Sequence, residues 1–447
     1  MTESQQSDTT HSQTDAGATR RRVLQATAGI GVGALLGVRR VEAATTSGGE
    51  ELWRFETGDF VRSSPAVVDG FVFVGSYDNH VYALDAKTGE EQWVFETGSS
   101  VHSSPTVADG TLFVGSRDHH LYALDAVTGD EQWRFRTSGF VGSSPTAADG
   151  TVFVGSTDDN VYALDANTGD EYWHFETGDE HWFSSTSGSV RSSPTVADGI
   201  VFVGSQDHHL YALDSATGDE HWHFETGDSV SSSPTVVDGT VFAGSTDDNV
   251  YALDAETGDG RWAFETENRV QSSPTIANGI IFVGSMDNHV YALDAAIGDQ
   301  QWQFETDSSV HSSPTVADGT VFVGSNDNHV YALDAATGNE HWQFETGLSV
   351  HSSPTVVDGT VFIGSGDGHV YALDAGVEGS SECSRTHLST LGHHDQEVAL
   401  DEEIDHPDDL DADFAADEQL PGFGVESALA GIGATYLLKR RLGDTDH

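Results

Sequence analysis

The chain has 447 residues, with 73 Asp and Glu against 18 Lys and Arg, for a formal charge of −55. An acidic excess of this size excludes nucleic acid as a partner, since a polyanion is repelled. It points to a hypersaline habitat, because at molar salt the screening length falls to roughly 3 Å and the self-repulsion largely vanishes. A single cysteine, Cys383, rules out an intramolecular disulfide and a Cys-rich metal site, and the acids fall in turns between regularly spaced Val, Phe, Tyr and Trp, which excludes an acidic disordered chain.

At the N-terminus, Thr19-Arg20-Arg21-Arg22-Val23-Leu24-Gln25 precedes a small-residue apolar run from Ala26 to Val38 and an Ala-rich stretch from Val41 to Ala44. The run is too short for a membrane span, which needs about 20 apolar residues. It resembles a twin-arginine export signal, so residues 1–44 are expected to be an address cleaved near residue 44.

From residue 50 to 375 one unit recurs eight times: W-x-F-x-T, then V-x-S-S-P-[TA]-[VAI]-x-[DN]-G, an apolar run ending G-S-x-D, and [VL]-Y-A-L-D. Its tryptophans are Trp53, Trp93, Trp133, Trp173, Trp222, Trp262, Trp302 and Trp342, spaced by 40 residues except for one interval of 49. Each unit offers four short β-prone runs, such as Ser64 to Val68, Phe71 to Ser76, Val81 to Asp85 and Gln92 to Glu96, punctuated by Asp69-Gly70 and Thr88-Gly89. Four strands per repeat, with apolar character on both faces, predict an all-β, eight-bladed propeller of four-stranded blades.

The last copy breaks down after Asp374 and has no Trp, while the Trp53 run stands alone at the start. Glu51 to Thr57 is therefore expected to supply the outer strand of the last blade and close the ring.

The stretch Ala83-x-Asp85-x-x-Thr88-Gly89-x-x-x-Trp93 resembles the tryptophan-docking motif of pyrroloquinoline quinone (PQQ) repeat propellers, and it returns from Ala123, Ala163, Ala212, Ala252 and Ala332, with Ile297 replacing Thr in the Ala292 copy. The resemblance implies that each Trp is structural, docking on the adjoining blade. Larger members of that family are dehydrogenases holding PQQ and calcium in the channel, but their long insertions and channel Glu, Asn and Asp have no recognisable counterpart here. The scaffold is also similar to that of an outer-membrane assembly lipoprotein that holds protein partners.

The copies serve as an internal control: a position identical in all eight solves a recurring structural problem, and a unique site must use positions that differ. The Ser-Ser-Pro hydroxyls are thus read as hydrogen-bonding groups at the start of the inner strand rather than nucleophiles, and the Asp of G-S-x-D as turn chemistry. His80, His120, His209, His289, His329 and His369 after those turns have either a turn role or a metal-ligating one. The residue between Val and Ser-Ser differs from blade to blade: Arg62, His102, Gly142, Arg191, Ser231, Gln271, His311 and His351. These side chains are expected to ring one mouth of the channel, either as an anion-binding mouth or as solvated strand ends. The nine extra residues near Asp179 to Ser187, including Trp182 and Phe183, are expected on that same face by strand parity, and exposed aromatics there could meet a ligand.

Residues 376–420 lack hydrophobic periodicity and carry an acidic run from Asp401 to Asp413, which reads as a disordered stalk, without the Asp-x-Asp-x-Asp-Gly spacing of a calcium loop. Residues 421–447 join Pro421-Gly422-Phe423 to an apolar segment, Val425 to Leu438, and Lys439-Arg440-Arg441. They resemble the PGF-type sorting signal of haloarchaeal surface proteins, in which an archaeosortase removes the tail and a membrane lipid is attached. Glu426 and the acidic linker depart from that pattern, and an uncleaved short apolar tail is the alternative.

The expected function is a non-catalytic binding or scaffold module at the outer face of the cell membrane. Its partners would be envelope or extracellular protein or glycan, its membrane contact a C-terminal lipid or short apolar tail, and no cofactor is expected. Two alternatives stay open: a PQQ-dependent dehydrogenase-like quinoprotein, and an extracellular sensor or adhesion module.

Overall fold

A computed structural model describes residues 48–178 and 188–381. They form eight four-stranded antiparallel sheets, each one blade of a β-propeller. Blade 1 runs from its inner strand, Ala66–Val68, through Phe71–Gly75 and His80–Asp85 to its outer strand, Glu91–Glu96, and the other blades repeat this order. Asp69 (φ 51°) and Gly70 (φ 81°) join the first two strands in a two-residue turn with both residues left-handed, the turn that matches strand twist. The inner strands have only three residues each, shorter than the sequence pattern suggests, because Ser63, Ser64 and Pro65 are committed elsewhere.

Those serines bind the blades to one another. The backbone N–H of the second Ser donates to the hydroxyl of the second Ser in the next blade, at 2.9–3.0 Å, and the series runs unbroken from Ser64 through Ser104, Ser144 and onward to Ser353, which returns to Ser64. Threonine at the first inner-strand position adds a bond to the next blade's proline carbonyl, as from Thr106 to Pro145 at 2.6 Å. Blade 1 has Ala66 there instead.

The apolar core lies between blades. Phe73 and Trp93 of blade 1 join Val107, Leu112 and Tyr122 of blade 2 in one cluster, and Phe95 meets Tyr122 edge-on at 5.4 Å. Each Trp indole N–H donates to the next blade, Trp93 Nε1 to the Ala126 carbonyl at 3.1 Å, with the ring lying on Gly129.

Ring closure follows the sequence expectation and extends it. Glu51–Glu56 pairs with His369–Asp374 as the outer strand of blade 8. In other blades the Asp-x-x-x-Gly turn is made by Asp85 and Gly89, with Gly89 N donating to Asp85 O at 2.8 Å. In blade 8 that turn is assembled from both ends of the propeller: Gly49 N donates to Asp374 O at 2.7 Å, Asp374 N donates to Glu50 O at 2.8 Å, and Gly49 takes φ 83° under Trp342. Beyond residue 375 the chain turns back along the channel-side edge of blade 8, where Gly359 N donates to Gly379 O and Ser381 N to Val356 O.

Candidate functional site at the channel mouth

Each outer strand ends in Thr and crosses to the next blade. The Val that follows is fixed by its N–H to the preceding G-S-x-D turn, as in Val101 N to Ser76 O at 3.0 Å. The variable residue after Val and the G-S-x-D turn therefore share one face, as strand parity requires. The Asp of each turn is engaged: Asp78 Oδ2 accepts from the Tyr82 hydroxyl at 2.8 Å and from Gly58 N at 2.6 Å, while Oδ1 accepts from His80 N at 3.0 Å. Burial and the Asp78 carboxylate push the Tyr82 hydroxyl well above its ordinary range. His80 Nδ1 lies 3.0 Å from the Asp78 carbonyl, so this histidine is held by its own turn. No group of three metal-ligating side chains occurs among the described residues.

The mouth carries more variable positions than the residue after Val alone. The residue before Val and the x of G-S-x-D also face it, giving three positions in each of eight blades. Together they hold four arginines (Arg62, Arg117, Arg191 and Arg269), three histidines (His102, His311 and His351) and not one Asp or Glu. On the outer strands Arg54, Arg134 and Arg261 pair with Glu51, Glu131 and Asp254. None of the four mouth arginines makes an ion pair among the described residues. Arg117 and Arg269 escaped sequence reasoning because the blade-by-blade comparison was applied to one position only; the same comparison at the other two positions finds them.

Blades 1 to 4 bring most of this together. His102 stacks on Tyr77 at 4.0 Å between centroids, and its Nδ1 is 3.0 Å from the Tyr77 hydroxyl. Arg117 Nη1 lies 3.5 Å from His102 Nε2; a guanidinium only donates, so the imidazole proton sits on Nδ1 and is given to Tyr77. Burial and the Arg117, Arg62 and Arg191 charges pull His102 down to about 4, which leaves it neutral near pH 7. Arg62 lies over the Tyr77 ring at 5.3 Å and Arg117 over Phe140 at 4.8 Å. His102, Arg117, Phe140, Gly142, Thr157 and Arg191 line a pocket of about 190 Å³. Across the mouth, His311 and His351 are 4.9 Å apart, and Asn326 Nδ2 donates to His311 Nδ1 at 3.0 Å. Burial and the Arg62 charge bring His351 to about 4. Gln271 takes its place on the ring without a hydrogen-bond partner among the described residues, and Trp182 and Phe183 lie outside the described residues.

The channel wall is chemically plain. From the first Ser of Ser-Ser-Pro to the end of each inner strand the residues are only Ser, Pro, Thr, Ala, Val and Ile. No carboxylate, amide or imidazole on these segments could hold a calcium-bound quinone or act as a general base, and at blade 8 the channel-side edge is taken by residues 379–381. The residues of the channel wall do not fit that cofactor.

Among families of known proteins, the one described as outer membrane protein assembly factor BamB matches residues 4–105 and 96–180, and the one described as beta-alanine-activating enzyme, beta-propeller matches residues 174–394. No curated protein matches the chain. Among solved structures, BamB from Moraxella catarrhalis is similar at 20% identity and a TM-score of 0.64, covering 73% of this chain and 99% of that one. The computationally designed Ika8 protein is similar at 18% identity and a TM-score of 0.65, covering 72% and 99%. Quinohemoprotein alcohol dehydrogenase from Comamonas testosteroni is similar at 19% identity and a TM-score of 0.63, covering 76% and 78%. Identities this low speak for the fold alone, while the family matches show that parts of the chain are similar in sequence to BamB-like propellers.

Proposed function

We propose that this propeller is a non-catalytic binding module that holds envelope or extracellular protein or glycan at the cell surface through its channel-mouth face. The carrying observation is the mouth itself: four arginines without ion-pair partners among the described residues and no acid at its variable positions, in a chain of charge −55. A charge pattern so opposed to the rest of the molecule attracts anionic groups and steers them to one face. Likeness to BamB supports a role at the cell envelope, and the twin-arginine-like and PGF-like ends support export and anchoring. The fold is shared equally with quinoprotein dehydrogenases, so fold does not decide between the two; the plain channel wall weighs against the enzyme. Reconstitution of the purified chain with PQQ and calcium is expected to give no dye-linked alcohol oxidation, and a turnover above the unloaded protein would overturn the reading. Loss of partner capture on changing Arg62 and Arg269 to Ala would support it.

A further inference from the structure

The ring position after Val carries a side chain in seven blades and none in blade 3, where it is Gly142. The pocket of about 190 Å³ stands at that gap. Gly142 owes nothing to backbone need: its conformation is outside the left-handed region, and a Cβ built on it would meet no atom within 4 Å. The missing side chain therefore opens space rather than relieving a clash. The groups around the space agree in chemistry. Arg117 and Arg191 bring two guanidinium groups without ion-pair partners among the described residues. Thr157 accepts from Phe140 N through Oγ1 at 2.7 Å, which leaves its hydroxyl proton free to donate. Phe140 is 39% exposed and closes one side with an apolar ring held under Arg117. His102 is fixed by Tyr77 and Arg117, so it keeps the wall rigid.

We infer that the gap at Gly142 is a binding site for a compact oxyanion, of the dicarboxylate or phosphate monoester class, clamped between Arg117 and Arg191 with a hydrogen bond from Thr157. Two guanidinium forks suit the planar or tetrahedral oxygens of such groups. A cavity near 150 Å³ accommodates a molecule the size of benzene, so the ligand is small. The inference rests on reading the mouth as a binding face and adds the ligand class to it.

The test is calorimetric titration of the full chain, at the fixed salt concentration that keeps it folded, with succinate and with inorganic phosphate. At least one should bind with one-to-one stoichiometry. Gly142→Gln places in blade 3 the residue that blade 6 carries as Gln271, and should weaken binding by about tenfold or more without changing the melting temperature. Arg117→Gln with Arg191→Gln should do the same through lost charge-assisted bonds. Arg136→Gln removes a guanidinium charge from an outer strand and should leave affinity unchanged. Absence of binding by both probes, undiminished binding in Gly142→Gln, or an equal loss in Arg136→Gln would overturn the inference. Were neither anion to bind while Gly142→Gln blocked a captured partner, the pocket would seat a partner's side chain and the small-ligand assignment would fall. Partner capture that still depends on Arg62 and Arg269, both outside the pocket lining, would leave the binding-face reading standing when this inference fails.

Discussion

Substituting Gly49 by Ala measures how far the two chain ends have become one turn of an ordinary blade. Two glycines elsewhere divide the cost into its parts. Gly110, in a hairpin turn, has φ 75° and no atom within 4 Å of a built Cβ, so Gly110→Ala reports backbone strain alone, about 1–2 kcal/mol. Gly129 has the same φ of 75°, but its Cβ would lie 2.7 Å from Cδ2 of Trp93, a docked ring whose N–H bonds to Ala126 at 3.1 Å. Overpacking adds about 1–3 kcal/mol, for a total of about 2–5 kcal/mol. Gly49 has φ 83° and would put its Cβ 2.9 Å from Cε3 of Trp342, so Gly49→Ala should track Gly129→Ala. With an unfolding entropy near 2.1 cal/mol/K per residue, each kcal/mol moves the midpoint of a domain of this size by about 1.5 °C. Thermal melts at one salt concentration should then place Gly110→Ala about 2 °C below the parent, with Gly129→Ala and Gly49→Ala about 3–7 °C below it. A Gly49→Ala melt indistinguishable from Gly110→Ala, or from the parent, would refute the shared turn.

Ser233→Ala leaves the buried N–H of Ser193 without its 3.0 Å acceptor and should cost about 1–3 kcal/mol in denaturant melts. Ala66→Thr supplies in blade 1 the threonine-to-proline bond made in the other seven blades, and should gain about 1 kcal/mol in the same assay. His102 and His351, both brought to about 4, stay neutral in the fold while the unfolded chain takes up protons below its ordinary value near 6.5. The unfolded state binds more protons in that window, so stability should fall as pH drops from about 6.5 toward 4. Replacing His102, which faces Tyr77, Arg62, Arg117 and Arg191, with Gln should flatten that slope in pH-dependent melts.

The fold was legible because its determinants recur. Seven Trp docking motifs, seven Asp-Gly turns with Asn278-Gly279 as the eighth, and one orphan Trp53 strand leave little freedom in blade count or closure. The blade 8 turn was not legible, since Gly49 and Asp374 are joined only through space and neither belongs to an intact motif. The site was legible in part. Comparing copies at the residue after Val found Arg62, His102 and Arg191, but the copies say nothing of depth. That Gly142 is a gap, and that Arg117 reaches His102 from a G-S-x-D turn, depends on which side chains meet between blades. The serine ring shows the same limit: a repeated hydroxyl reveals a recurring structural role, whereas its partner in the next blade is a fact of geometry.

The claim that the channel mouth is the working face is tested most directly by affinity capture from envelope extracts at high salt. The parent chain, Arg62→Ala with Arg269→Ala, and a paired change of Asp149 and Asp198 to Asn in opposite-face hairpin turns would be compared at equal melting temperature. Loss of two interface arginines is expected to weaken a captured partner by about thirtyfold or more, at roughly 2 kcal/mol for a dominant contact, with the opposite-face pair retaining parental affinity. Retention of affinity by the arginine pair together with its loss in the opposite-face pair would contradict the account.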